Sequence, residues 1–462
     1  MKAPTIHMLT SLLAATLLMA AAMSCVEPFT PVDPVDDGQP VELPLRISVP
    51  ASGLIATKSE TIAPETAEAA AKELQIWAFK HGDEGSAVAY RNVPSTSAPQ
   101  DGVYETTLPI SRQVITSGIL NLDFFVVANG SSIGGVHKME GSDDVTATMT
   151  RSELMALAFG KTVSGETVTD YFGNTTKTDA VPASGLPMSC FNDTGFDITF
   201  LKYGLTTLQI AAIKAKATGD DKDQPYDLSA FDELSTKLSD TQKEFIQNTL
   251  CPQVLGTSHY PYWSELWSKL CPSFQLTRAV SKIRFIFTKA QNMSESTDII
   301  SIMISDQADE GAIPLSTYLF PHTPIAFPGN SFETVTWGDD DTPLLDNTDI
   351  KTIDTPYRLL WTSGMTAQAY TTLLNTAVDR NEVTEKLLYL RESDKALKCK
   401  VTYKIDNTSH EATFTLPEGA DFHRNSWWTI YAFFMSYKLN FLITVYDWDT
   451  YGKGVISIGN TV

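Results

Sequence analysis

Apolar and polar residues alternate along much of the chain with a period of two, which predicts β-strands with one buried face. Val41, Leu43, Leu45, Ile47 and Val49 alternate with Glu42, Pro44, Arg46 and Ser48. Pro44 has no N–H to give a ladder, so this strand is expected at a sheet edge or to be replaceable. Leu74, Ile76 and Ala78, with Trp77 and Phe79, predict a second strand. Leu120 to Val127 predicts a third, closed by Ala128-Asn129-Gly130. Over 278–288, Ile283, Phe285 and Phe287 share one face, with Lys282 and Arg284 on the other. Cys399, Val401, Tyr403 and Ile405 alternate with lysine and threonine, then turn through Asp406-Asn407 into Ala412, Phe414 and Leu416, which predicts a hairpin. Thr429–Met435, Leu439–Tyr446 and Val455–Ile458 predict three more strands. Many short strands separated by turn signals indicate β-sandwich domains.

Helical spacing is local. A short helix is expected over 151–158, and one or two more over 365–390, around Tyr370, Leu373, Leu374, Leu387 and Leu388. In 214–275, Phe231, Leu234, Leu238, Trp263, Trp267 and Leu270 recur at steps of three and four, which predicts a helical insertion between two β domains. The expected organisation is therefore a signal peptide (1–24), a tether with a leader strand (25–58), an N-terminal β-sandwich (59–213), the helical insertion (214–275) and a C-terminal β-sandwich (276–462).

The apolar run from Met8 to Met23 after Lys2 has the length of a signal-peptide core rather than of a membrane span. It ends Ala22-Met23-Ser24-Cys25, with small residues at the first and third positions before a cysteine, as in bacterial lipoprotein signals. Cys25 is accordingly expected to carry the lipid. Residues 26–40 combine four prolines with four acids and cannot build a core, so they read as an extended tether.

Composition narrows the classes of function. The 462 residues carry 55 acidic and 34 basic side chains, a net charge of −21, and they lack a Lys/Arg cluster; nucleic acid is not expected as a partner. A hydrophobic share of 43% excludes a disordered chain and suffices for two or three cores. The seven histidines are scattered without metal-ligand spacing, and HExxH, GxSxG and a phosphate-binding glycine loop are missing, so neither an enzyme nor a cofactor is expected. The acid clusters Asp220-Asp221-Lys222-Asp223 and Asp339-Asp340-Asp341 lack the spacing of a calcium loop and read as solvated surface. Cys251 and Cys271 flank the Tyr262–Leu270 helix; with Cys190 and Cys399 they allow three pairings, of which 251–271 competes with free buried thiols.

The order of the segments resembles that of the FimA/Mfa-like fimbrillins, the subunits of type V pili. The lipoprotein cysteine, the acidic tether and the VELPLRISV strand come first, then Glu73-Leu74-Gln75-Ile76-Trp77-Ala78-Phe79. LDFFVVANG (Leu122–Gly130), Leu186-Pro187-Met188-Ser189 and Leu276-Thr277-Arg278-Ala279-Val280-Ser281-Lys282-Ile283 follow, and His423-Arg424-Asn425 precedes the terminal strands. The resemblance spans nearly the whole mature chain except 214–275.

It implies two tandem transthyretin-like β-sandwiches. It also implies a leader strand (Val41, Leu43, Leu45, Ile47, Val49) that a protease removes, and a groove that then accepts a C-terminal strand of the next subunit. Lys58 matches the family's cleavage-site arginine, which gives Ser59 as the mature N-terminus. The candidate donor residues are Leu439, Phe441, Ile443, Val445, Val455, Ile456 and Ile458. The implied partners are other pilus subunits, in a homo- or hetero-polymer, the outer membrane through the lipid on Cys25 before processing, and a host or bacterial surface ligand for adhesion. The competing class is a non-polymerising outer-membrane lipoprotein that binds glycan or another surface ligand, with the aromatic stretch His259–Trp267 as a platform.

Overall fold

The structure is a computed structural model of the full chain. It describes residues 40–50, 71, 73–93, 102–129, 136–138, 148–155, 157–160, 162–164, 167–169, 186–233, 235–252, 261–279, 281–289, 295–305, 313–314, 316–318, 320, 332–333, 335–337, 384–390, 398–415, 424–435 and 438–447. They form two compact units. One holds Ile115–Gly118 and Ile198–Lys269; the other holds Pro40–Val114, Ile119–Asp197 and the described chain from Leu270 onward.

The larger unit is mainly β, as the alternation predicts. Its first half uses β1 (Val41–Ser48), β2 (Leu74–Lys80), β3 (Ala89–Val93), β4 (Val103–Ile110) and β5 (Asn121–Ala128). Four short strands follow: β6 (Val136–Lys138), β7 (Leu157–Gly160), β8 (Thr162–Ser164) and β9 (Thr167–Thr169). The half is completed by β10 (Met188–Asp197), β11 (Ser273–Gln275) and β12 (Thr277–Arg278). The two main sheets have orders β11-β1-β4 and β12-β10-β5-β2-β3, while β6 and β7 join β16 and β8 pairs with β9. Leu276 alone separates β11 from β12, so the chain passes from one sheet to the other within a single residue.

The second half is built from β13 (Ser281–Lys289), β14 (Thr297–Ser305), β15 (Ile313–Pro314), β16 (Ser316–Tyr318), β17 (Phe332–Glu333), β18 (Val335–Trp337), β19 (Thr384–Leu390), β20 (Lys398–Ile405), β21 (Thr408–Thr415), β22 (Ser426–Met435) and β23 (Lys438–Asp447). Its two main sheets have orders β19-β13-β22-β23 and β18-β14-β20-β21. Ile283, Phe285, Phe287, Trp428, Ile430 and Phe434 from the first meet Ile299, Val401, Tyr403 and Phe414 from the second in one buried cluster. Turn chemistry makes the β20–β21 hairpin: Asp406 and Asn407 take φ of 48° and 66°, the left-handed pair that a two-residue connection needs.

Several expectations are corrected. The helix expected over 151–158 is α2 (Arg151–Met155, after α1 at Arg112–Thr116); it ends before Leu157, which opens β7. The 365–390 region is not helical at its end. There, β19 pairs antiparallel with β13 and sets Leu387 opposite Arg284 and Leu388 opposite Ile283. A continuous apolar run suits a strand as well as a helix, and the distant partner decides. Tyr370, Leu373 and Leu374 lie outside the described residues. Lys282 and Arg284, on the polar face of β13, are nevertheless buried: their charged ends lie 4.3 and 5.9 Å from the Trp427 ring centre, on which each forms a cation–π contact.

The smaller unit is helical and opens earlier than residue 214. A 3-10 turn at Thr199–Tyr203 is followed by α3 (Thr207–Thr218), α4 (Asp240–Phe245), which runs on into a π turn at Ile246–Leu250, and α5 (Trp263–Leu270), whose last residue belongs to the larger unit. Phe200, Ile213, Phe231, Leu238, Phe245 and Trp263 are buried in its core.

Two capping boxes are joined. Thr206 with Gln209 caps α3, and Ser239 with Gln242 caps α4. The buried Gln209 donates through Nε2 to Gln242 Oε1 at 3.2 Å, and Gln242 Nε2 donates to the carbonyls of Tyr203 and Gly204 at 2.9 and 3.1 Å. Gln242→Leu keeps the volume but leaves the part-buried Tyr203 and Gly204 carbonyls and the buried Gln209 amide without Gln242, and removes the acceptor of the Ser239 N–H. It should cost about 1–3 kcal/mol, read as an earlier urea midpoint of the helical circular dichroism.

Candidate functional site

β1 turns one face into the core. Leu43, Leu45, Ile47 and Val49 are buried, while Arg46 between them is exposed, so the period-two pattern maps onto an inner and an outer face. One side of β1 is paired along its whole length: its eight residues run antiparallel to β4, from Val41 opposite Ile110 to Ser48 opposite Val103. Among the described residues the other side is paired only at its end, where Arg46, Ile47 and Ser48 run parallel to Ser273, Phe274 and Gln275 of β11. β1 is thus flanked on both sides at 46–48 and is an edge before that, and Pro44 falls on the edge section. Past the strand, the Val49 N–H donates to the Gly102 carbonyl at 2.9 Å; further on, the buried Tyr104 hydroxyl donates to the Ala71 carbonyl.

The remaining family-like segments converge on the joint between the two halves of the larger unit. Asn129 closes β5 with φ 62°, a conformation that asparagine tolerates, and its Nδ2 donates to the Leu186 carbonyl at 2.7 Å. Met188 lies between Ala128 and Arg278 in register, and the Ala279 N–H donates to the Pro187 carbonyl at 2.9 Å. The fully buried Arg278 donates through Nη1 to Asn425 Oδ1 at 3.0 Å. These polar residues hold the joint in place.

A second constellation lies at the far end of β5, and sequence reasoning missed it. Asp123 is fully buried and accepts from His81 Nδ1 at 2.7 Å, from the Gly82 N–H at 3.1 Å and from Arg151 Nη1 at 2.9 Å. Arg151 also approaches Glu84 at 3.7 Å and Asp193 at 3.5 Å, and lies 5.6 Å from the centre of the Phe125 ring. Phe125 belongs to an aromatic group with Phe79, Phe191 and Phe320. A carboxylate inside the apolar run LDFFVVA was the available signal, because a buried Asp is paired. Chemically the cluster is a satisfied ion network.

Gly195 crowds it: with φ +78°, an added Cβ would lie 3.0 Å from the His81 ring. Gly195→Ala should therefore cost about 1–3 kcal/mol in chemical denaturation. Combining it with His81→Ala should relieve the steric part.

Other predicted positions are accounted for as follows. Leu439, Phe441 and Ile443 are core residues of β23, which pairs with β22 over ten residues and is the last strand of its sheet among the described residues; Val445 lies on the same strand, opposite Trp428. Cys25, Lys58, Ser59, Val455, Ile456, Ile458 and Asp339–Asp341 lie outside the described residues. The 251–271 bridge is not formed: Cys251, Cys271 and Cys399 are buried and Cys190 half-buried, each outside any disulfide. Burial pushes the Cys251 thiol up to about 11, with Glu265 adding to the rise and Lys269 opposing it, and pushes Cys190 up to about 12, so the thiolate that oxidation needs is scarce. Asp221 pairs with Lys216 at 2.7 Å. Among the described residues no group of three His, Cys, Asp or Glu side chains is placed to hold a metal ion. Trp263 is in the helical core, 5.5 Å from the Phe231 ring, and Trp267 is half-buried. Among the described residues no helix is long and apolar enough to cross a membrane.

No family model and no curated protein matches the chain. Among solved structures it is similar to a fimbrial assembly protein from Parabacteroides distasonis, with 10% identity, 88% of this chain and 96% of that chain covered, and a TM-score of 0.38. It is similar to the C-terminally truncated tip fimbrial protein Mfa3 from Porphyromonas gingivalis, with 11% identity, 88% and 100% covered, and a TM-score of 0.39. The fimbrial anchor protein Mfa2 from the same organism gives 7% identity, 88% and 98% covered, and a TM-score of 0.34. The solved structures that this chain is similar to, over most of its length and at low sequence identity, thus include Mfa-type fimbrial proteins.

Proposed function

We propose that this chain is a structural subunit of a cell-surface fimbria, exported as a lipoprotein and assembled by protease-triggered donor-strand exchange, and that it contributes to adhesion. The observation that carries this reading is β1. A strand that follows the expected signal peptide and acidic tether puts four alternating apolar side chains into the core, and among the described residues it is fully paired along only one edge. Such a strand is replaceable by another of the same pattern, since backbone bonds give the affinity and alternating side chains give the register. In this reading Cys25 holds the precursor at the outer membrane, cleavage after Lys58 frees β1, and the vacated groove takes a terminal strand of the next subunit. Leu439, Phe441 and Ile443 are engaged in their own domain, which leaves Val455, Ile456 and Ile458 as the donor residues.

The test is a surface extract run unboiled on a denaturing gel, with N-terminal sequencing of the bands. A fimbrial subunit should give a ladder whose chains begin at Ser59. A single monomer band with residues 41–58 intact would instead fit the non-polymerising ligand-binding lipoprotein. Cys25→Ala should move the precursor to the soluble fraction and abolish palmitate labelling, because acyl chains supply the anchor.

A further inference from the structure

We infer that β11, the three-residue strand that follows the helical unit, is the second wall of the β1 groove and selects what occupies it through backbone pairing at the position of Arg46. The inference deepens the reading of β1 as a replaceable strand and rests on it. The Arg46 N–H donates to the buried Pro272 carbonyl at 3.1 Å, and the Leu276 N–H donates to the Ser48 carbonyl at 2.9 Å. β11 is held where it is by Phe274, which is buried beside the Phe124 ring at 5.3 Å and stands in register with Ile47.

Successive N–H groups along a strand point to opposite edges. Arg46 faces β11 and Val49 faces the β4 side, so residues 42, 44, 46 and 48 all aim their N–H groups toward the β11 edge. β11 reaches only 46–48, which is why a proline is accommodated at 44. A proline at 46 would leave the buried Pro272 carbonyl without its donor. The occupant that fits is therefore an extended segment of a second copy of this chain with apolar residues at alternate positions, as at Ile456 and Ile458, and with an N–H rather than a proline at the position that faces the Pro272 carbonyl.

The experiment uses the full chain with residues 56–60 replaced by the recognition sequence of a site-specific protease. After clipping, labelled peptides spanning residues 41–50 compete for the groove. The Arg46→Pro peptide should bind at least about tenfold more weakly than the parent, the scale of a buried acceptor left unsatisfied, while the Glu42→Pro and Arg46→Ala peptides stay near the parent. Equal loss for Arg46→Pro and Glu42→Pro would overturn the role of β11. If the clipped chain takes up no peptide at all, the replaceable-strand reading fails. Amide hydrogen exchange of the unclipped chain then still decides on β11: Arg46→Pro should speed exchange at Phe274–Leu276 and Glu42→Pro should not, and no difference between the two would overturn the pairing.

Discussion

Leu45→Ala in the unprocessed chain is expected to lower the unfolding free energy by about 2–5 kcal/mol, the range for a fully buried leucine whose site collapses only in part. Leu45 is 1% exposed, sits mid-strand between the buried Leu43 and Ile47, and lies opposite Thr106 in register. Its neighbour Arg46 is exposed, and Arg46→Ala should stay within about 0.5 kcal/mol. Urea titration of both variants makes the comparison internal to one strand. A strand merely laid against the surface would give two small values. The contrast bears on the proposed replacement of β1, because a strand that contributes this much stability can be lost only if another of matching pattern takes its place.

Phe441→Ala should cost about 3–5 kcal/mol in the monomer. The ring is 3% exposed, lies 4.3 Å from Phe414 of the opposing sheet and stands opposite Ala432 in register. Melting of the purified monomer measures it. Were Lys438–Asp447 the strand given to a neighbour, the isolated subunit would tolerate its loss, and the variant would melt with the parent while failing to polymerise. The large drop is expected because Leu439, Phe441 and Ile443 already complete the core of their own sheet pair.

What was legible in the sequence was whatever local chemistry dictates. β1 and the β20–β21 hairpin follow from alternation and from Asp406-Asn407, which supply the turn by themselves, and β5 follows from a continuous apolar run closed by Asn129. The end of the 365–390 region was misjudged because Leu387 and Leu388 suit a helix by propensity, whereas β13, about a hundred residues earlier, claims them as a strand. The limited reach of β11 along β1 has no sequence signal, since three residues carry no period. The same holds for the Asp123 network: a carboxylate among phenylalanines announces that a partner exists, but Arg151 and His81 are supplied by separate elements that only the fold brings together.

The parallel pairing of β1 with β11 also sets an order of events. Ile47 meets Phe274 only after the intervening strands and the whole helical unit have been made, and contacts between residues so distant in the chain form late, since loop closure must precede them. The helical unit depends on neighbours close in sequence and can form as soon as it emerges. During that interval β1 waits with four apolar side chains and an unpaired edge, the condition in which nascent strands aggregate. Glu42, Pro44 and Arg46 alternate with those side chains along that same waiting strand. On the finished strand Arg46 is exposed; on the waiting strand the two charges and the missing N–H of Pro44 oppose edge-to-edge pairing.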